Sequence, residues 1–343
     1  MVNTTTLKPL ITVCIANYNG VQIISSCLES IFAQQGDIPI EIIVHDDAST
    51  DGSVEYLHQH YGDIKLIISE ANVGFCIANN RMATEARGDY LLLLNNDAAL
   101  FPDAIASLLH KAKEFGAPAI LGLPQYDADN GKLLDMGSML DPFLNPIPNL
   151  SPQTFEVGMI MGACLWIPRN LWLKLGGFPE WFDSIGEDLY LCCRARTAGY
   201  TVATLFNSGY WHKVGHSFGG GKVTENEALV TSKKRRRLSE RNKSYVMILT
   251  YPFPLLQIIL PIHLLLLLAE GVVMSIIKPN QKIFRDIYLA CFMALIKNQS
   301  NLFELRKIIQ AQRKCSTLNF ISVFRPISYK LAMLHRFGIP RIQ

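Results

Sequence analysis

The chain has 343 residues, 49% of them hydrophobic and 18% charged, a composition that excludes intrinsic disorder and allows a large domain with an appendage. The net charge of +3 conceals a division. Residues 1–225 carry 13 Lys and Arg against 24 Asp and Glu, a balance of −11, whereas residues 226–343 carry 19 against 5, a balance of +14. We therefore predict a domain over 1–225 and a basic, apolar helical region over 226–343, with different partners.

The basic region alternates its charges with long Leu and Ile runs. This pattern favours an anionic membrane surface as its partner and argues against nucleic acid. The eight cysteines lie in apolar stretches without any CxxC pair, which predicts buried thiols in a reducing compartment rather than a zinc site or disulfides. Residues 1–9 are polar and lack the apolar core of a signal peptide, so we expect the first domain to lie at the cytoplasmic face of the membrane.

The first hundred residues alternate short β-branched or apolar runs with segments of helical periodicity. This alternation predicts an α/β fold with a doubly wound, mostly parallel sheet, in which ligands bind beyond the carboxyl ends of the strands. We predict strands at 10–16, 41–44, 64–68 and 90–94, and helices at 21–34, 53–61 and 77–86.

The middle of the chain is less regular. Residues 127–152 are rich in Pro, Asp, Asn and Gly, which predicts an irregular excursion beside the ligand-binding edge of the sheet, on the side where a second substrate would enter. An apolar stretch at 158–167 then leads into a helix at 169–175. A second helix at 187–198 begins with an acidic first turn after Gly186.

A nearly continuous apolar segment at 255–277 follows the basic run 233–237, and its length is sufficient to cross a bilayer. Four residues in it are unfavourable in hydrocarbon, namely Gln257, Pro261, His263 and Glu270. A peripheral helix and a single membrane span therefore both remain open. Residues 283–309 mix apolar and basic side chains, as a helix lying on a membrane surface does.

Polar residues follow each of the first four predicted strands, and all of them should meet at one edge of the sheet. Asp97, after the last of these strands, is suited to a divalent cation bridging phosphate oxygens, although a turn or helix cap is the alternative. Asp46 or Asp47 can accept hydrogen bonds from a base N–H and ribose hydroxyls, although an Asx turn is the alternative. Arg81 can meet a diphosphate or base, or be a solvated helix charge. The candidate cofactor-binding residues are Asn17, Tyr18, Asp46, Asp47, Gly74, Arg81, Asn96 and Asp97.

Three residues later in the chain complete the candidates. Glu187 and Asp188 stand at a predicted helix N-terminus, where the helix dipole stabilises carboxylates, and either can be a catalytic base or a cap. His212 offers a neutral nitrogen ligand for the cation bound by Asp97, or is a structural histidine.

These residues belong to an ordered set of short motifs that resembles the family 2 glycosyltransferases, in particular their rhamnosyltransferase-like branch. The set runs across residues 10–245 and includes Asn17-Tyr18-Asn19, Asp46-Asp47-Ala48-Ser49-Thr50-Asp51-Gly52-Ser53, Asn72-Val73-Gly74-Phe75, Asn79-Asn80-Arg81, Gly88-Asp89-Tyr90, Asn95-Asn96-Asp97, Gly162-Ala163-Cys164-Leu165, Gly177-Phe178, Gly186-Glu187-Asp188-Leu189 and His212-Lys213-Val214-Gly215-His216-Ser217. Arg241-Asn242, followed by hydrophobic helices, resembles the membrane-apposed tail of this branch. The usual DxD motif of the family has become Asn95-Asn96-Asp97 and keeps only its last carboxylate.

The resemblance implies a GT-A catalytic domain that uses Mg²⁺ or Mn²⁺ and an inverting single displacement. By position, Asp46 or Asp47 holds the base, Asp97 and His212 hold the metal, and Asp188 takes the acceptor proton. The implied partners are a nucleoside diphosphate sugar donor, with dTDP-rhamnose as the leading choice, and a cell-envelope polysaccharide or glycolipid acceptor. The sequence leaves the oligomeric state open.

Three other functions are alternatives to this one. A catalytically inactive sugar-nucleotide or glycan-binding module requires the acidic set to be broken, and the set is present. A nucleotidyltransferase requires a Gly-rich, basic phosphate loop after the first strand, where the chain has residues 16–20. A processive synthase requires a QxxRW signature and several apolar spans, which the sequence lacks.

Overall fold

The structure is a computed structural model, and it describes residues 8–213, 220–223, 229–279 and 282–342. Its strands are β1 Ile11–Asn17, β2 Ile40–Asp46, β3 Lys65–Ile68, β4 Tyr90–Asn95, β5 Ala98–Leu100, β6 Ala119–Gly122, β7 Gln125–Asp127, β8 Leu133–Asp135, β9 Met139–Leu140, β10 Pro146–Ile147, β11 Cys164–Pro168, β12 Thr201–Thr204, β13 Tyr210–His212, β14 Gly220–Val223, β15 Leu229–Thr231 and β16 Arg341–Ile342. Residues 1–7, which hold most of the polar N-terminal stretch, lie outside the described residues.

The helices are α1 Ile24–Phe32, α2 Ser53–His60, α3 Phe75–Glu85, α4 Ala104–Phe115, α5 Arg169–Leu175, α6 Glu187–Thr197, α7 Lys233–Thr250, α8 Leu255–Ile277, α9 Ala290–Lys297, α10 Gln299–Ala311, α11 Thr317–Ile321 and α12 Tyr329–Phe337. A 3₁₀ turn covers Glu180–Phe182, and a π-helical turn covers Phe284–Leu289.

The central sheet has seven strands in the order β12-β6-β11-β4-β1-β2-β3. Strand β1 pairs in parallel with both β2 and β4, and β3 continues the parallel half. Strand β11 is antiparallel to β4 and β6. The predicted α/β fold with a mostly parallel sheet is therefore confirmed, with one antiparallel strand in its interior.

Strands β1 and β4 are mostly apolar before their last residues, because both faces of the sheet are covered. Cys14, Leu91 and Leu93 join one hydrophobic cluster, whereas Val13 and Leu92 join a second cluster on the opposite face. The alternation of β-strand side chains thus distributes a single apolar run between two cores. The polar residues at the carboxyl ends of these strands remain at the sheet edge.

The predicted irregular excursion at 127–152 contains more regular structure than expected. A four-stranded sheet in the order β5-β13-β7-β8 uses its first part, and the β9–β10 hairpin follows. In the four-stranded sheet, β13 pairs with β5 so that His212 lies opposite Ala98. This pairing brings the end of β13 to the residue that follows β4, a neighbourhood that local sequence patterns do not reveal.

The C-terminal helices pack against the first domain. Tyr245, Met247 and Leu249 of α7 belong to the same hydrophobic cluster as Leu189 and Leu191 of α6. The predicted boundary between 225 and 226 falls outside the described residues, and the division into two domains stays a prediction.

Helix α8 occupies the whole predicted apolar segment. Within the part of the chain that the structure describes, it is the one helix long and apolar enough to cross a membrane, with a mean hydropathy of 2.2 and 22% of its most apolar stretch buried. All eight cysteines are free, and seven are buried, as predicted. Burial raises the pKa of the thiols, which makes them poor nucleophiles.

Candidate functional site

The carboxyl ends of β1, β2 and β4 meet through the side chain of Asn17. Its Nδ2 donates to Asp46 Oδ2 at 2.8 Å, and its Oδ1 accepts from Asn96 Nδ2 at 2.8 Å. Gly20 lies against this pair, and a Cβ at that position would come within 2.4 Å of both side chains. A residue without a side chain is therefore required there. Three of the predicted site residues thus form one buried network at the predicted edge.

Asp46 and Asp47 reach the same edge and already have hydrogen-bond partners. Asp46 accepts from the Ser49 backbone N–H and hydroxyl, at 2.9 and 2.8 Å, which is the Asx-turn geometry of the alternative interpretation. Asp47 accepts from the N–H groups of Val73 and Gly74 at 2.7 and 2.8 Å. Asp47 therefore fixes the loop after β3. Contact of either aspartate with a base stays a prediction.

Tyr18 and Arg81 are exposed at the rim, where a ligand can reach them. Arg81 donates from one guanidinium nitrogen to Ser69 Oγ at 2.8 Å, and the same hydroxyl contacts His45 Nε2 at 3.2 Å. Sequence analysis missed His45, which is fully buried with no partner for Nδ1. A polar residue just before the end of the apolar strand β2 was the available signal.

Asp97 and His212 come together as predicted. His212 Nε2 lies 3.1 Å from Asp97 Oδ1, and the backbone N–H of Lys213 donates to the Asp97 carbonyl at 3.1 Å. On the other side of the ring, Gln125 Nε2 lies 3.0 Å from His212 Nδ1. Asp97 also lines a cavity of about 370 Å³ with Trp211 and Lys213.

A carboxylate and an imidazole are an appropriate pair of ligands for a divalent cation. Two protein ligands leave most of the coordination sphere to phosphate oxygens and water. No group of three or more His, Cys, Asp or Glu side chains that could hold a metal occurs among the described residues. Residues 214–219, which complete the motif after His212, lie outside that part of the chain. Metal binding by Asp97 and His212 stays a prediction.

Glu187 and Asp188 begin α6 directly after Gly186, which is the N-cap residue. Asp188 Oδ2 accepts from Gly162 N–H at 3.1 Å, and Oδ1 accepts from Leu189 N–H at 2.7 Å. The neighbouring Ala163 accepts from Asn95 N–H at 3.0 Å, which joins this region to the end of β4. The acidic pair and the proposed metal ligands therefore lie at the same end of the sheet.

The two carboxyl groups differ in their environments. Burial and the adjacent Asp188 raise the pKa of Glu187 to about 8, and Glu187 Oε2 has no hydrogen-bond partner. Burial also raises the pKa of Asp188, but the N–H groups of Gly162 and Leu189 oppose that shift. Glu187 is therefore mostly protonated at neutral pH, and Asp188 is the member of the pair that is more readily ionised.

The basic run 233–237 forms the first turns of α7. Arg235 is partly buried there, and burial lowers its pKa while the negative charges of Asp188 and Glu187 oppose that shift. Arg236 forms ion pairs with Glu240 and Glu270. Arg235 and Arg236 therefore interact with acidic groups of the protein itself, and attachment of the basic region to an anionic membrane stays a prediction.

Comparisons with known proteins agree with this site. The family model described as glycosyl transferase family 2 matches residues 12–171. An N-acetylglucosaminyl-diphospho-decaprenol L-rhamnosyltransferase of Mycobacterium tuberculosis is 27% identical over 211 residues, covering 53% of this chain and 69% of that relative. Residues 12–171 are thus similar to the family 2 glycosyltransferases, and the resemblance of the chain to the rhamnosyltransferase-like branch is confirmed.

Solved structures share the fold. The crystal structure of S. aureus TarS 1–349 in complex with UDP-GlcNAc has a TM-score of 0.56 at 16% identity and covers 94% of this chain and 92% of that chain. The crystal structure of GalNAc-T7 with UDP, GalNAc and Mn²⁺ has a TM-score of 0.51 at 17% identity and covers 59% of this chain and 42% of that chain. At these identities the likeness shows a common GT-A-like fold.

Proposed function

We propose that this enzyme transfers a sugar from a nucleoside diphosphate sugar, with inversion, onto a hydroxyl of a cell-envelope polysaccharide or lipid-linked glycan. The observation that carries the proposal is the contact of Asp97 with His212 at the sheet edge where Asn17 and Asp46 end their strands. The name of the M. tuberculosis relative supports rhamnose and a lipid-linked acceptor. The TarS complex supports UDP-GlcNAc as the rival donor.

Asp97 and His212 are the residues that would hold Mg²⁺ or Mn²⁺ in this proposal. A bound cation supplies charge that stabilises the leaving diphosphate. Mn²⁺ in the GalNAc-T7 structure supports this assignment. His212 presents Nε2 to the site, while Gln125 holds Nδ1 and so orients the ring.

Asp188 is the proposed general base. Its two backbone hydrogen bonds favour the ionised form and fix the carboxylate, which must accept the proton of the acceptor hydroxyl. Glu187 is too buried, and too readily protonated, to have that role at neutral pH. The nucleoside diphosphate would then be bound by Asp46 and Asp47 and by the exposed side chains of Tyr18 and Arg81.

A thermal-shift screen tests the donor and the metal together. UDP, dTDP and GDP are each added with and without Mn²⁺, and we expect one of them to raise Tm by several degrees only when Mn²⁺ is present, because a ligand bound by the folded state stabilises it. Asp97→Asn should remove the Mn²⁺-dependent increase. Asp103→Asn is the matched control, since Asp103 accepts from Ser208 away from the site. An unchanged Mn²⁺ response in Asp97→Asn contradicts the metal assignment.

The second part of the proposal concerns the membrane. Helix α8 turns His263 and Glu270 toward the protein, where His263 contacts Ser244 Oγ at 2.9 Å and Glu270 pairs with Lys330 at 2.7 Å. Its other side is apolar and exposed, with Ile258, Ile262, Leu265, Leu266, Leu268, Val272, Val273, Ile276 and Ile277. A helix with one anchored polar side and one exposed apolar side suits the surface of a bilayer. We therefore favour peripheral attachment over a span.

Sedimentation with vesicles of phosphatidylglycerol and phosphatidylcholine tests the attachment. The wild-type chain should pellet, and Leu265→Glu combined with Ile276→Glu should lose most of that binding. Leu173→Glu, at an exposed leucine of α5, is the matched control and should pellet like the wild type. Equal sedimentation of all three proteins contradicts docking through α8, and resistance of the cellular protein to alkaline carbonate extraction supports a span instead.

A further inference from the structure

The short segment that leads into the acidic pair has an unusual backbone. Asp183, Ile185 and Gly186 have φ values of +64°, +68° and +90°. Non-glycine residues rarely adopt positive φ, and a β-branched residue such as Ile185 does so only when surrounding contacts enforce it. We refer to residues 182–186 as the base loop, because they determine where Glu187 and Asp188 begin α6.

One side chain contacts most of the base loop. Asn242, on α7, is fully buried, and its Nδ2 lies 3.0, 3.1 and 2.7 Å from the carbonyl oxygens of Phe182, Ser184 and Ile185. Arg241 donates to the Phe182 carbonyl from outside at 2.8 Å. A buried carbonyl that loses its hydrogen-bond donor destabilises the folded state. The amide of Asn242 therefore stabilises the strained loop, with its two N–H bonds shared among three carbonyls.

The base loop is also close to the loop that Asp47 fixes. A Cβ at Gly74 would lie 3.5 Å from the Asp183 carbonyl oxygen, and a Cβ at Gly186 would lie 3.4 Å from Asn242 Cβ. The base loop thus lies between the Gly74 loop and helix α7. A shift of α7 relative to the sheet would therefore move Asp188 relative to the residues proposed to bind the sugar nucleotide.

We propose that Asn242 is a positioning residue that fixes the base loop, and through it the carboxylate of Asp188, in the geometry that transfer requires. The proposal rests on the assignment of Asp188 as the base, given above. Asn242 acts through the loop and does not touch the reacting groups. A short side chain with an NH₂ group suits this position, because its two N–H bonds are shared among the three carbonyls. A carboxylate would repel these oxygens, and an apolar side chain would leave them without donors.

The test compares Asn242→Asp and Asn242→Ser with Asn298→Asp. Asn298 also donates from Nδ2 to two oxygens, but these belong to Tyr245 and Ala294 and not to the base loop. Hydrogen–deuterium exchange of residues 182–189 reports the stability of the base loop, and it requires no sugar donor. We expect faster exchange there in both Asn242 variants and wild-type exchange there in Asn298→Asp.

The kinetic measurement uses the donor identified by the nucleotide screen. A misplacement of about 1 Å can lower a rate by about 100-fold, so we expect kcat to fall by about 10- to 100-fold while KM for the donor stays within about twofold. UDP and Mn²⁺ binding by thermal shift should be retained. A general loss of structure would instead weaken nucleotide binding and donor KM along with kcat.

Arg241→Gln provides a milder test if the buried variants do not fold, because Arg241 supports the same carbonyl from the surface. It should accelerate exchange of residues 182–189 and lower kcat a few-fold. Unchanged exchange of this loop in every folded variant, or a wild-type kcat in Asn242→Asp, overturns the proposal. If the wild type transfers no sugar at all, the proposed function fails, while the exchange result still decides whether Asn242 holds the loop.

Discussion

Two pairs of largely buried carboxyl groups have pKa shifts of opposite direction. One pair is Glu187 and Asp188 at the sheet edge, and the other is Glu240 and Glu270 between the C-terminal helices. Glu240 lies 3.1 Å from Lys243 Nζ and 2.7 Å from Lys330 Nζ, and Glu270 shares Lys330. Although burial opposes ionisation, Lys243, Lys330 and Arg236 hold the pKa of Glu240 well below its ordinary value. At the sheet edge, burial prevails and raises the pKa of both acids.

The difference separates structural from reactive acids. Buried charges that are surrounded by partners fix the packing of α7, α8 and α12, and removal of one partner destabilises the fold. Buried acids without enough positive charge or hydrogen-bond donors around them destabilise the fold when ionised, but their raised pKa suits proton transfer in catalysis. The same helix, α7, contributes to both regions, since Arg235 faces the acidic pair and Arg236 the ion-pair cluster.

The largest expected effect is on catalysis. Asp188→Asn keeps the shape and one acceptor oxygen but cannot take a proton, so transfer should fall by about 10²- to 10⁴-fold. Nucleotide and Mn²⁺ binding, measured by thermal shift, should stay near wild type. If Asp188→Asn transfers normally and Glu187→Gln does not, the roles within the pair are reversed. If both variants transfer normally, the base lies elsewhere.

The next effect is on stability. Glu240→Gln removes the buried anion that Arg236, Lys243 and Lys330 share, and we expect a loss of about 3–5 kcal/mol in the free energy of unfolding. Urea unfolding measures it. Glu304→Gln is the control, because the exposed Glu304–Lys307 pair should contribute less than about 1 kcal/mol. Similar losses in the two variants contradict a special role for the buried cluster.

The smallest effect concerns pH. A carboxyl whose pKa is raised in the folded state stabilises the fold fully below its unfolded pKa, and this contribution is lost as pH rises toward the folded value, about 8 for Glu187. Glu187→Gln resembles the protonated acid and does not titrate. Its Tm should match the wild type near pH 4.5 and exceed it by a few degrees at pH 8. A constant difference across this range contradicts the raised pKa.

Much of the fold and the site was predictable because the relevant signals are local. The apolar runs of β1 and β4 and the helical periodicity of α1 predicted the sheet and its edge, since buried parallel strands leave their polar ends at one side. The residues after those strands, Asn17, Asp46 and Asp97, followed from the same rule. The ordered motifs added Asp188 and also His212, whose contact with Asp97 is hidden by their distance along the chain.

Only the tertiary structure decided how the later segments meet the site. The composition of residues 233–237 indicated a charged surface, but the packing of α7 directs Arg235 to the acidic pair and Arg236 to Glu240 and Glu270. Asn242 looks like an ordinary helix residue until its amide is seen against three carbonyls of the base loop. Sequence patterns record which face of an element is apolar, whereas the partner of a buried polar group depends on elements that are distant along the chain.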